Sequence, residues 1–457
     1  MVNFSDLNFI FRFLPVFLIV FYITPMKFRT WTLVIGSLLF YAMGDLRMLP
    51  ALFGAIVVNF LFAKAIREEK SWSLLLFILL IDAGMLVEFK ILGQFVDSSL
   101  LPIGISFYIF KMISFQLDVY TDRFKDEATF IDVAAYFSMF PQIVSGPIMR
   151  FEQYKENSML EKDLEYRPSI HVILTVIEDG LRYFVAGFAM KVLLADRLSM
   201  LWRDIGTIGY ESISTPLAWL GAVTYSLQLY FDFWGYSLMA AGIGVMLGFP
   251  FIENFKQPYS SKNVAEFYRR WHATLGSWFR DYIYFPMGGS RKGDKRTVFN
   301  LLVVWLLTGF WHGITPNFIL WGVSLFAIIV CERFFVYKKF QGKAAAIVGR
   351  FNVLVLIPLT WVVFAISDFG MLTTYFTRLF PFFGEGIAVN RNDFLKNIGL
   401  YWPVLVPALV LLIPQIFDYF EKNRTKPVFT VLLLLLFWGC VYVVAGTAGS
   451  PFVYMRF

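Results

Sequence analysis

Apolar runs of bilayer length recur from one end of this 457-residue chain to the other, with no large polar block between them. Crossing ~30 Å of hydrocarbon takes about 20 mostly apolar residues, and inside a bilayer the backbone has to hydrogen-bond to itself. An all-α, polytopic membrane protein is the fold that follows. The runs extend from Phe9–Pro25 and Trp31–Met43 through Leu101–Leu117, Leu301–Phe310 and Phe318–Val330 to Val428–Val444. Several are too short to cross upright, which leaves about 11 crossings. They are read as one membrane domain over residues 1–457, with its motifs between 101 and 335. Composition agrees: 58% of the residues are hydrophobic and 16% charged, against about half and about 25% in soluble globular chains. The first run lacks a basic start and a small-residue cleavage site, and reads as a retained segment.

The net charge of +7 raises nucleic acid as a partner, but Lys and Arg sit mostly in short loops between apolar runs. Loops holding Lys64, Arg67 and Lys70, then Arg123 and Lys125, then Arg291, Lys292, Lys295 and Arg296 carry the bias of cytoplasmic loops facing anionic lipid. The bilayer is the expected partner, not nucleic acid. Cys331 and Cys440 have no partner at metal-ligand spacing, and three histidines among dispersed carboxylates argue against a protein-held metal.

Two regions depart from plain spans. Phe137–Met149 is apolar but interrupted by Pro141, Gly146 and Pro147, which weaken a helical ladder. Backbone freed at membrane depth has to be buried in protein or line a cavity, so a broken or re-entrant segment is expected, with a short surface loop as the alternative. In Val264–Gly289, Phe267, Trp271, Leu275, Trp278 and Tyr282 recur at three- and four-residue steps, with Glu266, Arg269, Arg270, Arg280 and Asp281 on the remaining surface. That pattern predicts one interfacial helix.

Charge at membrane depth costs roughly 2.5–3.5 kcal/mol on insertion scales, so each such group asks for a partner or a task. Asp82, Gln116, Asp118, Gln228, Asp232, His272 and His312 are the groups in question. His312 has the strongest claim. It is the only histidine or charged residue between Arg296 and Glu332, in a run long enough for two short helices, and it lies at the break between them beside Gly309 and Gly313. Those glycines admit close approach by backbone or substrate. On charge alone, a loop histidine that supports packing explains His312 as well as a functional one does. His272 follows Arg269 and Arg270, cations that favour its neutral form if they are close in space. The stretch Gln228-Leu-Tyr-Phe-Asp232-Phe-Trp-Gly-Tyr236 sets hydrogen-bonding groups among aromatic rings. Asp118 reads as a helix anchor or a partner for Arg123.

Glu266-Phe-Tyr-Arg-Arg-Trp-His272, the run Trp278 to Gly289 and Thr308-Gly-Phe-Trp-His312-Gly313 together resemble the membrane-bound O-acyltransferase family, in particular its bacterial branch that O-acetylates exopolysaccharides. Phe140-Pro-Gln-Ile-Val-Ser-Gly-Pro147 and Tyr230-Phe-Asp-Phe-Trp-Gly-Tyr-Ser237 extend the resemblance over nearly the whole chain. It implies spans, re-entrant and interfacial helices around a central tunnel, in a bacterial inner membrane. It also implies catalytic roles for His312 and His272. Asn317, Gln228, Asp232, Tyr236, Trp311 and Arg269 are then candidates for substrate contact. The implied reaction moves an acetyl group from a cytosolic acyl thioester toward a polysaccharide hydroxyl. Acetyl-CoA would be the donor substrate rather than a tightly bound cofactor, and an extracytoplasmic partner of the SGNH-hydrolase type would complete the transfer. Where relatives often read Phe-Ser-Gly-Tyr-Ser-Asp, this chain has Phe233-Trp-Gly-Tyr-Ser-Leu238 and lacks that acidic contact. D-alanyl transfer to teichoic acid is the alternative within the family. A polysaccharide or lipid transporter is the alternative outside it.

Overall fold

The computed structural model describes residues 3–124, 127–144, 146–157, 159–160, 168–340, 342–380 and 392–446, so Lys125 and Ser145 lie outside the described residues. Every regular element among them is a helix, as the apolar runs require. The elements used below are α1 (Met26–Asp45), α2 (Leu49–Glu69), α3 (Trp72–Phe95), α4 (Ile105–Tyr120), α5 (Thr215–Met246), α6 (Val264–Arg270), α7 (Ala273–Phe279), α8 (Asp294–His312), α9 (Pro316–Cys331) and α10 (Ile357–Ala365).

Five helical stretches are long and apolar enough to cross a bilayer, and six if the bent pair Asp393–Val410 and Pro414–Asn423 is one span. The first of them, Met26–Glu69, holds both α1 and α2, separated by one tight turn at Leu46–Met48. At 24 and 32 residues, α3 and α5 also exceed the bilayer thickness. This count does not reach the expected 11 or so; the first apolar run, for one, forms the shorter helix Phe9–Ile23.

The chain divides into two compact units that interleave in sequence: Met1–Phe188 with Gly235–Glu253 and Thr430–Phe457, and Ala189–Trp234 with Asn254–Phe429. In the first unit, α3 and α2 both pack on α4. Polar groups buried there are answered locally. Asn59 Nδ2 donates to Asp82 Oδ1 at 2.9 Å, and Gln116 Nε2 donates to the Asn59 carbonyl at 2.7 Å. Asp118 meets Arg123 at 3.2 Å, one of the two readings open for it.

The interrupted segment is broken and buried. Helix ends at Ser138, Met139 turns extended (φ −50, ψ 116), and Phe140–Ile143 form one further turn. Its backbone is satisfied within the unit, with Phe140 N–H donating to Ser37 Oγ at 3.1 Å and the Tyr136 hydroxyl to the Met149 carbonyl at 2.8 Å. Met139, Phe140, Ile143 and Met149 are all buried. Gly104, in left-handed backbone at φ +68, lets the chain approach so closely that a Cβ there would lie 1.7 Å from the Ile143 carbonyl oxygen. The surface-loop alternative is set aside.

The expected single helix over Val264–Gly289 is broken. Its regular parts are α6, α7 and one wide turn at Arg280–Tyr284, and the break falls on His272, which adopts left-handed backbone (φ +46). The cause lies outside the segment. Ala273 N–H donates to the Asn254 carbonyl at 2.8 Å, and Lys256 N–H donates to the Arg270 carbonyl at 2.9 Å. These two bonds clasp the chain at 254–256 across the joint and stop one ladder from running through. The aromatic positions still turn inward, with Phe267, Trp271, Leu275 and Trp278 buried; Tyr282 is half-buried.

Candidate active site

In the second unit, α8 and α9 form a helical hairpin. α8 ends on His312, Gly313 continues in extended backbone, and α9 opens on Pro316, whose fixed φ suits a first helical turn. The helices touch at two glycines. A Cβ on Gly309 would stand 2.6 Å from the Phe318 carbonyl oxygen, and one on Gly322 would stand 2.5 Å from that of Trp305. His312, about one turn beyond Gly309, is thereby held against the second helix. A Cβ on Gly313 would meet the Phe318 ring at 2.5 Å. The glycines flanking the histidine thus admit protein backbone and an aromatic ring.

The His312 imidazole is 7% exposed and sits in an aromatic box. Ring centroids lie 4.3 Å away for Trp311, 5.0 Å for both Trp321 and Phe364, and 6.2 Å for Phe318. Trp321 and Phe364 stand nearly perpendicular to the imidazole. Phe364 is brought in by Asn317, whose Nδ2 donates to the Phe364 carbonyl at 2.9 Å and ties the start of α9 to the end of α10. Asn317 is 1% exposed, and the hydrogen bond it makes positions the wall of the box.

His272 lies near the same indole. Its ring is 6.4 Å from Trp311 and packs edge-on against Phe233 at 4.7 Å. Trp311 is therefore a neighbour shared by both histidines. Behind them, Trp271 meets Trp361 at 5.0 Å, and Trp361 meets Trp321 at 5.5 Å. Nδ1 of His272 lies 3.0 Å from Asn254 Oδ1. Burial pushes the His272 pKa down to about 3, so the imidazole is neutral at physiological pH. The sequence attributed neutrality to the neighbouring arginines; desolvation supplies it instead. Arg270 is engaged elsewhere, donating to Glu266 Oε1 at 2.6 Å and to Ser260 Oγ at 2.9 Å.

The depressed pKa makes stability depend on pH with a fixed sign. Between the ordinary 6.5 and about 3 the unfolded chain binds a proton at this site and the folded chain does not, so stability rises with pH across that window and is fully present above it. Melting temperatures taken from pH 7.5 down to pH 4 should fall less steeply for His272→Asn than for the wild type, asparagine being a residue that tolerates left-handed backbone. Equal slopes would remove His272 from the account.

The other candidates divide. Gln228, 8% exposed, has a side-chain oxygen with no hydrogen-bond partner among the described residues. Asp232, four positions further along α5, is committed to Lys191 at 3.0 Å, both side chains being 2% exposed. Lys191 also reaches Asp196. Tyr236 belongs to the first unit, where its ring stacks on Phe4 at 4.8 Å. Arg269 is exposed in the last turn of α6. Among the described residues, no three of His, Cys, Asp and Glu gather as a metal-ligand set.

Sequence reasoning missed Asn254, Lys191, Trp361 and Phe364. Lys191 carried a usable signal, since it interrupts the apolar run Val172–Leu194 and so required a buried anion. Asn254, in an irregular stretch, carried none.

The model of the membrane-bound O-acyltransferase family matches residues 22–337. A probable alginate O-acetylase of Pseudomonas putida is 32% identical, over 99% of this chain and 100% of its own length. A peptidoglycan O-acetyltransferase of Helicobacter pylori is 31% identical over 78% of the chain and 75% of its own length. A teichoic acid D-alanyltransferase of Bacillus subtilis is 29% identical over 53% of the chain and 60% of its own length.

Proposed function

The chain belongs to the membrane-bound O-acyltransferase family, and from that premise we propose that it moves an acetyl group from a cytosolic thioester, acetyl-CoA, toward a hydroxyl of an extracellular polysaccharide. Membership makes it a multi-pass membrane acyltransferase, which sets aside the transporter reading. The acetyl group and the glycan acceptor rest on the relatives: the alginate and peptidoglycan O-acetyltransferases align over more of the chain than the D-alanyltransferase does.

The observation that carries the mechanism is the placement of His312. It sits at the end of a rigid hairpin, walled by aromatic rings and sharing Trp311 with the neutral His272. Thioester alcoholysis needs a group that accepts a proton near neutral pH and a site that keeps water from competing for the acyl group. In the proposed step His312 takes the proton of the acceptor hydroxyl, and the oxygen attacks the thioester carbonyl carbon. The carbon–sulfur bond then breaks, and the thiolate leaves and is protonated as free CoA. Trp311 and Phe364 exclude water, Asn317 positions the centre, His272 brings a second, neutral imidazole to the proton transfer, and exposed Arg269 offers charge to an anionic donor. In the inner membrane, that acceptor hydroxyl belongs to an extracytoplasmic partner of the SGNH-hydrolase type, which holds the acetyl group as an ester; a polysaccharide hydroxyl then attacks this ester, takes the acetyl group and frees the partner's hydroxyl.

Mass spectrometry of surface glycan from cells with and without this protein tests the reading. Loss of acetyl from the glycan is the expected result. Loss of D-alanyl would transfer the proposal to the teichoic acid branch, and an unchanged glycan would remove the polysaccharide from it.

A further inference from the structure

His272 departs from regular helix at a cost, since left-handed backbone (φ +46) is strained for a residue with a Cβ. What the chain gains by it is one atom. Asn254 Oδ1 lies 3.0 Å from His272 Nδ1, 2.8 Å from Thr274 Oγ1 and 3.3 Å from the Thr274 backbone nitrogen. A backbone N–H only donates, so the side-chain atom of Asn254 that it meets is the carbonyl oxygen, and that oxygen only accepts. The third neighbour must then donate as well, and the proton of the neutral ring sits on Nδ1. Asn254 is 3% exposed, and the two backbone bonds that clasp 254–256 to 270–273 keep its oxygen in place.

We infer that Asn254 is a positioning residue that fixes His272 as its Nδ1–H tautomer, so that Nε2 carries the lone pair this imidazole brings to acyl transfer. The catalytic use of Nε2 rests on the function proposed above; the tautomer itself does not. The pairing follows a general rule: which ring nitrogen of a histidine is basic is set by the hydrogen bond the other one makes. The groups that face the ring include Asn254, Phe233 and Trp311, and Thr274 shares the Asn254 oxygen. None of them titrates near neutrality. Burial keeps the ring neutral at pH 7, which gives its tautomer a defined meaning there.

The test reads the tautomer directly. The full-length protein in detergent, with His171→Gln and His312→Gln, leaves His272 as the one histidine, and ¹⁵N labelling reports which ring nitrogen bears hydrogen. Nδ1–H is expected at pH 7. An Nε2–H ring or an imidazolium would overturn the inference. Asn254→Ala should convert the spectrum to Nε2–H or a mixture, and an unchanged spectrum in that variant would equally overturn it. Should Asn254→Ala fail to fold, Asn254→Asp decides: it retains an acceptor at Nδ1 and places a negative charge beside it, so imidazolium should appear at a pH where the parent is neutral. A titration indistinguishable from the parent would show that residue 254 does not face Nδ1. Since His312 is absent from these proteins, the result stands whether or not the chain transfers acetyl. In the otherwise native enzyme, Asn254→Ala should lower kcat about tenfold or more with KM unchanged, as expected when a proton-transfer group is present in the wrong form. Asn254→Asp should recover part of that loss. A rise in KM alone would mean that Asn254 serves binding instead.

Discussion

His312→Ala lowers acyl transfer by about 10²–10⁴-fold, the contribution ordinarily made by a positioned proton-transfer group. The expectation rests on placement. The imidazole ends α8, is held in register by the Gly309–Gly322 contact, and is boxed by Trp311, Trp321 and Phe364. Removing a buried ring also empties space among these partners, so a folding defect has to be separated from a chemical one. His312→Gln keeps most of the volume while supplying no base at neutral pH. Both variants should insert and melt within a few degrees of the wild type, and both should lose turnover of an acetyl thioester. A folded His312→Ala protein with full activity would end the assignment of this residue.

Asp232→Ala should cost stability rather than substrate affinity. The Lys191 ammonium and the Asp232 carboxylate lie 3.0 Å apart with both side chains 2% exposed. Truncating one partner of such a pair leaves a buried charge and typically costs about 3–5 kcal/mol. Asp196 retains its contact with Lys191, which places the expected loss at the lower end of that range. Replacing both partners, as in Lys191→Met with Asp232→Leu, should recover most of it, because an apolar pair needs no desolvation of charge. Thermal unfolding of the three proteins in detergent measures this. A stable Asp232→Ala protein with a raised KM for donor or acceptor would restore the substrate-contact role that the sequence suggested.

What the sequence made legible were features that depend on neighbours along the chain. Charge-free runs on either side of His312 marked a hairpin because a helix of that length needs no distant residue to define it. The Pro and Gly content of Phe137–Met149 marked a broken segment for the same reason. The joint at His272 was hidden, since both short helices keep their aromatic faces inward and the stripe passes through the break undisturbed. Only the chain at 254–256, remote in sequence, decides that the ladder stops there. The partner of Asp232 was hidden by the same logic: its neighbours along α5 suggest a polar aromatic pocket, whereas its ion partner comes from another helix.

The glycine contact inside the α8–α9 hairpin also bears on how the protein is made. Gly309 with Phe318 and Gly322 with Trp305 are pairs close in sequence, and contacts of that kind form early because little chain has to be closed to make them. Trp311, Phe318 and Trp321 therefore gather around His312 as soon as the hairpin folds. Phe364, from a helix synthesised later, adds the last wall. In that order the histidine is sheltered on several sides early in biogenesis, and Phe364 later closes one more aromatic face on a ring already in place.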